Sequence, residues 1–297
     1  MYTRAALLLL WVFLAHHALP TTASVSRQPC RLIFSLNPGR SGSGYLARIL
    51  GLAQGVDAGH ERHPTMLHDV LRQAKLLGLG WTYKHRKALK LPSILAVLER
   101  GHVYAETSHG FIKTFWDVVM DAFASDQDLS SQRCRTDIIV LERDLPSIVC
   151  SLYRRNWTRL HRDWLIEPGS MLSTLQVVPE EPASEIDNLV WYVLDHREKE
   201  AEFRRRYLVN PRVHFHYTSL PFLQTLKGVD NLFRALNLTF GPSAKVTGPK
   251  AIVGKPYNRN PPKFERIPCP TAAVEKSKLS LLMKREKERQ RWRREGT

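Results

Sequence analysis

The sequence predicts an α/β protein in which a central parallel sheet lies between two layers of helices, a three-layer sandwich. Short apolar runs rich in β-forming residues alternate with longer segments of helical periodicity, which is the pattern of strand–helix–strand units. The chain has 297 residues, of which 43% are hydrophobic and 24% are charged, so it can bury the core of one large domain. We expect that domain to span residues 24–270.

Four strands are expected along the chain. Residues 31–36 form an apolar run that the turn formers Asn37, Pro38 and Gly39 bring to an end. Residues 102–107 and 212–217 are further short runs of the same kind, and residues 136–142 are the strongest candidate because most of their side chains are aliphatic. The last of these is predicted to be a central, buried strand.

Seven helices are expected, at residues 43–52, 64–77, 88–100, 111–124, 145–155, 183–207 and 220–236. Each carries apolar residues at the three- and four-residue spacing of one helix face. Asp144 is suited to cap the fifth helix, and Pro146 is tolerated in its first turn. Residues 156–182 contain several prolines and a glycine and predict an irregular insertion.

The N-terminus has the pattern of a secretory signal peptide over residues 1–23. Arg4 precedes an apolar run at residues 5–15, and Thr21 and Ala23 supply small side chains for cleavage after Ala23. The run is shorter than the roughly 20 apolar residues of a spanning helix. The alternative is an uncleaved anchor through residues 5–19. Both interpretations place the remaining chain in the lumen of the secretory pathway or outside the cell.

Sequons and cysteines agree with that compartment. Asn156 and Asn237 begin Asn-x-Ser/Thr sequons, which indicate a glycoprotein only weakly. The four cysteines are Cys30, Cys134, Cys150 and Cys269. They would permit two disulfides in an oxidising lumen, and their wide spacing is unlike that of a zinc knuckle. The pairing stays open, and Cys150, in an apolar helical pattern, could equally be a buried thiol.

The charge balance predicts an anionic partner. Lysine and arginine number 44 against 28 aspartates and glutamates, so the formal net charge is +16. Such an excess suits nucleic acid, an anionic membrane face, a phosphorylated cofactor, or an acidic glycan or peptide. The secretory start argues against nucleic acid. Residues 271–297 form a basic tail, for which a solvated helix or frayed end is favoured over a docking surface for an anionic polymer.

A glycine-rich loop follows the first strand and precedes a helix, at residues 37–44. This arrangement is an anion cradle, because free backbone N–H groups and the positive end of the helix point at one place. Gly39 and Gly44 have the spacing of a nucleoside-triphosphate loop. Tyr45 and Leu46 stand where that loop would continue with lysine and a magnesium-binding hydroxyl, which disfavours an ATP or GTP hydrolase.

Arg40 supplies the cation of this loop instead. A planar guanidinium with neighbouring hydroxyl groups suits a terminal oxyanion that is bound without a metal ion. An ordinary strand-to-helix turn is the alternative for the loop taken alone. The residues expected to contact the anion are Arg40, Ser41, Gly42, Ser43, Gly44 and Tyr45.

A second anion site is predicted where residues 136–142 end. Arg143 follows that strand, and the carboxyl ends of strands form the ligand edge of an open α/β sheet. Ser151 lies two turns into the next helix, close enough to share an anion with Arg143. Taken alone, Arg143 would more often be a salt-bridge partner.

Together the two segments resemble the sulfotransferases that use 3′-phosphoadenosine 5′-phosphosulfate (PAPS). The 5′-phosphosulfate loop of that family typically reads Arg-Ser-Gly-Ser/Thr, as residues 40–43 do here, and Gly44 stands where a second hydroxyl is usual. The family's 3′-phosphate motif is an Arg-Asp with a serine eight residues after the arginine. Arg143 and Ser151 have this spacing, and two more arginines follow at 154 and 155. The resemblance covers roughly residues 31–238.

The resemblance implies a P-loop NTPase-like sulfotransferase fold, closest to the Golgi carbohydrate and protein-tyrosine sulfotransferases. It implies PAPS as co-substrate with no metal required. The expected reaction is in-line transfer of the sulfuryl group to a hydroxyl, or an amine, of an anionic glycan or acidic peptide. The expected location is the Golgi lumen, with secretion as the alternative.

Such a transfer needs a base near the loop. In the protein-tyrosine sulfotransferases a glutamate follows the loop arginine at a distance that matches Glu61, which makes Glu61 the first candidate. His60 and His63 are alternatives, because histidine titrates near neutral pH. The structural alternative for Glu61 is a surface residue paired with Arg62 or another neighbour.

Two further residues are candidates for contact with the acceptor or the sulfuryl group. Ser108 and His109 follow the predicted strand at 102–107 and therefore lie at the ligand edge of the sheet. For Ser108 the favoured alternative is a helix cap.

Two other functions stay open. A catalytically weak or inactive anion- or glycan-binding protein would keep the scaffold and the basic tail. A kinase on the same scaffold would need the lysine that Tyr45 replaces.

Overall fold

The computed structural model describes residues 30–125, 134–175, 179, 183–242, 252–254 and 267–277. The predicted signal segment at 1–23, the possible anchor at 5–19 and the part of the basic tail beyond residue 277 lie outside the described residues.

Five parallel strands form one sheet in the order β2-β3-β1-β4-β5. They are β1 (Arg31–Leu36), β2 (Val56–Gly59), β3 (Val103–Glu106), β4 (Arg135–Glu142) and β5 (Val213–Ser219). β1 pairs with β3 on one side and with β4 on the other, so Ile33 lies opposite both Ala105 and Asp137. The parallel sheet and its four predicted strands are confirmed, and β2 is an edge strand that the sequence pattern did not predict.

The helices of the described residues are α1 (Ser43–Leu50), α2 (Asp69–Glu99), α3 (Trp116–Phe123), α4 (Leu145–Arg154), α5 (Trp157–Leu160), α6 (Glu185–Tyr207), α7 (Leu220–Leu223), α8 (Leu226–Ala235) and α9 (Thr271–Glu275). A π-helical turn, Phe111–Phe115, precedes α3, and a 3-10 turn, Arg162–Trp164, follows α5. Apart from α5 and this turn, the described part of the predicted insertion at 156–182 is irregular.

Helix boundaries differ from the prediction at three places. The single helix expected at 111–124 consists of the π-helical turn Phe111–Phe115 and then α3. The helices expected at 64–77 and 88–100 are joined in α2, which begins only at Asp69 and breaks at Gly78 with φ 80° and ψ 167°. The single helix expected at 220–236 is divided into α7 and α8. The division occurs because the Thr225 side chain accepts a hydrogen bond from the Gly228 N–H and so caps a new helix.

The sheet is covered on both faces. Leu32, Phe34 and Leu36 of β1 pack with α2 and α3, whereas Ile33 packs on the opposite face with α1 and α8. Alternate side chains of a strand point to opposite faces, so β1 contributes to both cores. A third apolar cluster joins α4 and α6. The molecule is therefore the expected three-layer α/β sandwich.

Both cysteine pairs are joined in disulfides. Cys30 pairs with Cys134, and Cys150 pairs with Cys269. Cys150 is therefore not the free buried thiol that its apolar surroundings also allowed. The second disulfide ties the segment before α9 to α4, and α9 packs against α4 and α6 with Val274 fully buried.

The start of the predicted basic tail thus packs on the domain. No helix within the described ranges has the length and apolar character of a membrane span.

Candidate active site

A cavity of about 320 Å³ lies at the carboxyl edge of the sheet. Each of the five strands is followed by a residue that lines it. These residues are Arg40 after β1, Glu61 after β2, His109 after β3, Arg143 after β4 and Leu220 after β5. Because parallel strands bring their carboxyl ends to one edge, residues from distant parts of the chain meet there.

The loop between β1 and α1 has a left-handed backbone at three positions. Gly39, Arg40 and Gly42 have φ values of 84°, 54° and 97°. At Gly42 a Cβ would lie 2.5 Å from Cδ1 of Leu220, which would have to shift, and φ 97° is a conformation that residues with side chains rarely adopt. Arg40 adopts this conformation with a side chain, at a cost of about 1–2 kcal/mol. Strained residues of this kind cluster at functional sites.

Arg40 of the loop and Arg143 of the second predicted motif are in direct contact. Arg143 Nη1 donates to the carbonyl oxygen of Arg40, and Arg40 Nε donates to Ser151 Oγ at 3.0 Å. The structure thus brings the two predicted anion sites together in one cleft. Arg143 also lines an adjoining cavity of about 390 Å³ with Ser151 and the Cys150–Cys269 disulfide.

The main cavity is strongly cationic. Arg40, Arg143 and Arg155 line it, and Glu61 is the one carboxylate among its described lining residues. Burial, followed by the charges of Arg155 and Arg143, lowers the pKa of Arg40 to about 10, which still leaves it charged at neutral pH. A bound anion would relieve the repulsion among these guanidinium groups.

The other predicted loop residues differ in how they face the cavity. Gly42, Ser43 and Gly44 line it at the start of α1, where no side chain caps the helix. Ser41 is fully buried, and its hydroxyl donates to the Gly39 carbonyl oxygen. Tyr45 lines the cavity, although its hydroxyl hydrogen-bonds to the Leu223 carbonyl oxygen and the Gly254 N–H.

Glu61 lies in the cavity rather than on the outer surface, with its side chain 17% exposed. Its Oε1 is 3.2 Å from His109 Nε2 and 3.5 Å from His60 Nε2. The predicted alternative, a pair with Arg62, is wrong, because Arg62 binds Asp57 at 2.5 Å.

Three neighbouring side chains set the protonation of Glu61. Burial alone would raise the pKa of its carboxyl, but His109, His60 and Lys113 outweigh burial and lower the pKa to about 2. Glu61 has φ 51°, so it shares with Arg40 a strained backbone at the site.

Of the remaining candidate residues, His60 lies in the cavity, whereas His63 and Ser108 do not line it. His60 lines the cavity, and its Nδ1 donates to the Thr107 carbonyl oxygen at 2.9 Å. His63 is exposed and outside the cavity lining, so the structure does not bring it to Glu61. The hydroxyl of Ser108 is buried and accepts from the Gly110 N–H at 2.9 Å. This is a turn contact, because the N-cap of the following helical turn is Gly110, and Ser108 is not among the residues that line the cavity.

An aromatic wall on one side of the cavity was not predicted. Trp157, His161 and Trp164 line it, with ring centroids 5.6–5.8 Å apart. Their spacing of four and then three residues, directly after the second arginine motif, is a helical-face pattern that could have indicated this wall. Such a wall can stack against a sugar or an aromatic ring.

Within the described residues no group of three or more histidine, cysteine or acidic side chains is placed to hold a metal ion. No protein-family model matches the chain. No curated protein matches it significantly in sequence. Among solved structures it is similar to a "Sulfotransferase Domain from the Curacin Biosynthetic Pathway", with 15% identity and a TM-score of 0.43 over 84% of this chain and 97% of that chain.

Proposed function

We propose that the chain is a sulfotransferase that moves the sulfuryl group of PAPS to an acceptor hydroxyl. The observation that carries the proposal is the convergence of Arg40, Arg143 and one carboxylate, Glu61, on a single cationic cavity. Arg40 would bind the 5′-phosphosulfate end and Arg143 the 3′-phosphate end. Guanidinium groups and backbone N–H groups suit these oxyanions without a metal ion.

The reaction assigns a task to each group. Glu61 accepts the acceptor's proton while the acceptor oxygen bonds to sulfur. The bond from sulfur to the bridging oxygen breaks, and its electron pair leaves with 3′-phosphoadenosine 5′-phosphate. Arg40 and the N–H groups that open α1 stabilise the charge on the sulfuryl and bridging oxygens. His60 is the second candidate base, since it lies beside the same carboxylate.

The proposed acceptor is an anionic glycan or an acidic peptide. The net charge of +16 favours such partners over nucleic acid for a chain with a secretory start. The aromatic wall of Trp157, His161 and Trp164 suits a sugar or phenol ring whose hydroxyl reaches Glu61.

The proposed location is the lumen of the secretory pathway, with the Golgi first and secretion second, and with residues 5–19 as a possible anchor. The two disulfides support this proposal, because such bonds persist in oxidising compartments.

Glycosylation tests the location. Asn237 is exposed in the turn after α8, so we expect the full chain, expressed in animal cells, to carry a glycan there. The Asn237→Gln variant should lose one endoglycosidase-sensitive band shift, whereas Asn231→Gln, outside any sequon, should keep it. A wild-type chain without any such shift would contradict the lumenal location.

Nucleotide binding tests the proposed co-substrate. At 100 times its Kd, 3′-phosphoadenosine 5′-phosphate without magnesium should raise the free energy of unfolding by about 2.7 kcal/mol. The melting temperature should then rise by about 5 °C or more. Arg143→Ala should abolish the shift. Arg234→Ala should not, because Arg234 lies exposed on α8 and bonds to Asn231.

Two results would contradict the proposal. A larger shift with ATP and magnesium would favour a kinase. No shift with either nucleotide would favour an inactive anion- or glycan-binding scaffold. After the expected result, a transfer screen with labelled PAPS across glycans, tyrosine peptides and small alcohols identifies the acceptor.

A further inference from the structure

A chain of polar contacts runs from the cavity into the core behind it. His109 Nε2 lies 3.2 Å from Glu61 Oε1, and His109 Nδ1 lies 2.7 Å from Lys113 Nζ, one helical turn later. His109 and Lys113 are only 2% and 1% exposed. The candidate base is therefore connected to a lysine that is buried in the protein.

The contacts of Lys113 indicate where the protons are when its side chain is an ammonium group. Its Nζ is 2.6 Å from the Tyr192 hydroxyl oxygen and 2.9 Å from the Trp164 carbonyl oxygen. The Tyr192 hydroxyl donates to the Pro38 carbonyl oxygen at 2.6 Å, so its oxygen accepts from Lys113. An ammonium group has three N–H donors, and the third acceptor within reach is His109 Nδ1. A ring whose Nδ1 accepts carries its proton on Nε2, which faces Glu61.

We infer that Lys113 and His109 are positioning residues for Glu61: Lys113 selects the Nε2–H tautomer of His109, and that N–H holds Oε1 of the carboxylate. Oε2 is then the oxygen that takes the acceptor's proton. The catalytic consequence rests on the proposed sulfotransferase function, whereas the tautomer does not. Polar networks this deeply buried are costly unless every member is satisfied. His109 Nε2 is the member without a well-aligned hydrogen-bond partner, so its satisfaction depends on Glu61 Oε1, 3.2 Å away.

The surrounding charges act on this assignment in both directions. Burial lowers the pKa of Lys113 well below its ordinary value, whereas the charges of Glu61 and Asp195 favour the ammonium form that the assignment requires. Burial, followed by Lys113, lowers the pKa of His109 to about 3, so its ring is neutral at pH 7. The titratable groups that face Glu61 are His109, His60 and Lys113. Those that face His109 are Lys113, Glu61 and His196. Those that face Lys113 are Glu61, Lys199, Lys75 and Asp195. Asp195 is itself paired with Lys199.

Nitrogen NMR of the wild-type chain tests the tautomer directly. Among the 12 histidines, the His109 signals are identified by their loss in His109→Phe. We expect a neutral ring with its proton on Nε2 from pH 5 to pH 8. In Lys113→Met this preference should be lost. Lys75→Met removes a neighbouring charge without touching His109 and should leave the tautomer unchanged.

Activity tests the consequence for Glu61. His109→Phe keeps the ring stacked on Trp164, 5.6 Å between centroids, but removes both nitrogens. We expect kcat to fall by about 10²-fold through misplacement of the base. His109→Gln keeps an N–H donor and should recover part of this loss. In Lys113→Met the acid limb of the pH profile should move to higher pH, because Lys113 lowers the pKa of Glu61.

The two measurements separate the possible failures. A His109 proton on Nδ1, a ring that titrates near its ordinary pKa, or a tautomer unchanged in Lys113→Met would overturn the inference even if nucleotide binds as proposed. The same is true of a folded His109→Phe variant with unchanged kcat. If Lys113→Met does not fold, the wild-type tautomer and the two His109 variants still decide. Because the NMR measurement needs no nucleotide, failure of the proposed function is recognised separately, by the thermal shift.

Discussion

Glu61→Gln is expected to lower kcat by about 10²–10⁴-fold, the usual contribution of a general base. The amide has the size of the carboxylate and keeps an oxygen for His109, but it cannot take the acceptor's proton. The affinity for 3′-phosphoadenosine 5′-phosphate should not fall and should rise modestly, since Glu61 does not hold the anion and its carboxylate repels it. Labelled sulfuryl transfer measures kcat, and calorimetry measures the affinity.

The control is Glu99→Gln, which removes an exposed carboxylate at the end of α2. If Glu61→Gln retains kcat within about threefold, Glu61 is not the base. His60→Gln then tests the neighbouring histidine, whose Nε2 is 3.5 Å from the same carboxylate.

The pH dependence of Glu61 belongs to the same prediction. In the free protein its pKa is about 2 against an ordinary value of 4.5, because His109, His60 and Lys113 outweigh burial. A depressed carboxyl pKa stabilises the fold above pH 4.5, and this contribution is lost as the pH falls through 2. Glu61→Gln should remove that pH-dependent part of the free energy of unfolding.

A bound nucleotide should raise the pKa of Glu61 part of the way back towards its ordinary value. Anionic phosphate and sulfuryl groups at Arg40 repel the Glu61 carboxylate, and a nearby like charge raises a carboxyl pKa. The acid limb of kcat, which reports the complex, should therefore lie at higher pH than the acid limb of kcat/KM, which reports the free protein. Coincident limbs would show that the anion does not bind beside Glu61.

The arginine side of the site, with Arg40 and Arg143, could be predicted because the sequence patterns that indicate it are local. Glycine spacing around Arg40 and the eight-residue spacing from Arg143 to Ser151 each lie within one strand–turn–helix segment. The strands before them are strongly apolar, so both segments could be assigned to the ligand edge of the sheet. The hydrogen bond from Arg143 to the Arg40 carbonyl oxygen depends on β1 and β4 being neighbours in the sheet. Neither segment, taken alone, indicates that the two strands are neighbours.

The position of the carboxylate, Glu61, was harder to predict from the sequence. Glu61 follows β2, a four-residue edge strand of mixed character, Val56–Gly59, that carries no clear period-two pattern. Its place beside His109 comes from the pairing of β2 with β3, in which Gly59 lies opposite Glu106. Resemblance singled out Glu61, whereas periodicity gave no reason to place it in the sheet.

Contacts between residues far apart in the chain, such as the disulfides, likewise could not be predicted from the sequence. Cys30 and Cys134 come directly before Arg31 and Arg135, which lie opposite each other in the β1–β4 register. Strand order therefore determines this disulfide, and strand order was unknown. Burial of Lys113 could not be predicted either, because its partners come from the insertion and from α6.

Arg40→Gly is expected to lower kcat/KM by about 10²–10³-fold, the usual effect of removing a donor that stabilises transition-state charge. The folded state should nevertheless be as stable as the wild type or more stable. Arg40 has φ 54°, a left-handed conformation that glycine adopts freely, so the substitution relieves about 1 kcal/mol of backbone strain. Its carbonyl oxygen remains to hold Arg143 in place.

Arg40→Lys separates charge from geometry. Lysine keeps the positive charge and the strained backbone but lacks the planar fork that can bind two oxygens at once. Its kcat/KM should lie between the values of wild type and Arg40→Gly. Asn237→Gly, compared with wild type after both proteins are deglycosylated, is the matched backbone control, because Asn237 also has a positive φ, 48°, and lies outside the cavity lining. It should keep full activity without loss of stability.

Opposite changes in stability and activity are what distinguish a functional arginine from a structural one. If Arg40 served mainly to hold Ser151, its loss would lower the melting temperature and leave the chemistry of a folded protein nearly intact. If Arg40 is the cation for the sulfuryl group, Arg40→Gly gives a stable protein that transfers slowly. A glycine variant that is destabilised and retains kcat/KM within about threefold would show that the strain at Arg40 serves the fold rather than the reaction.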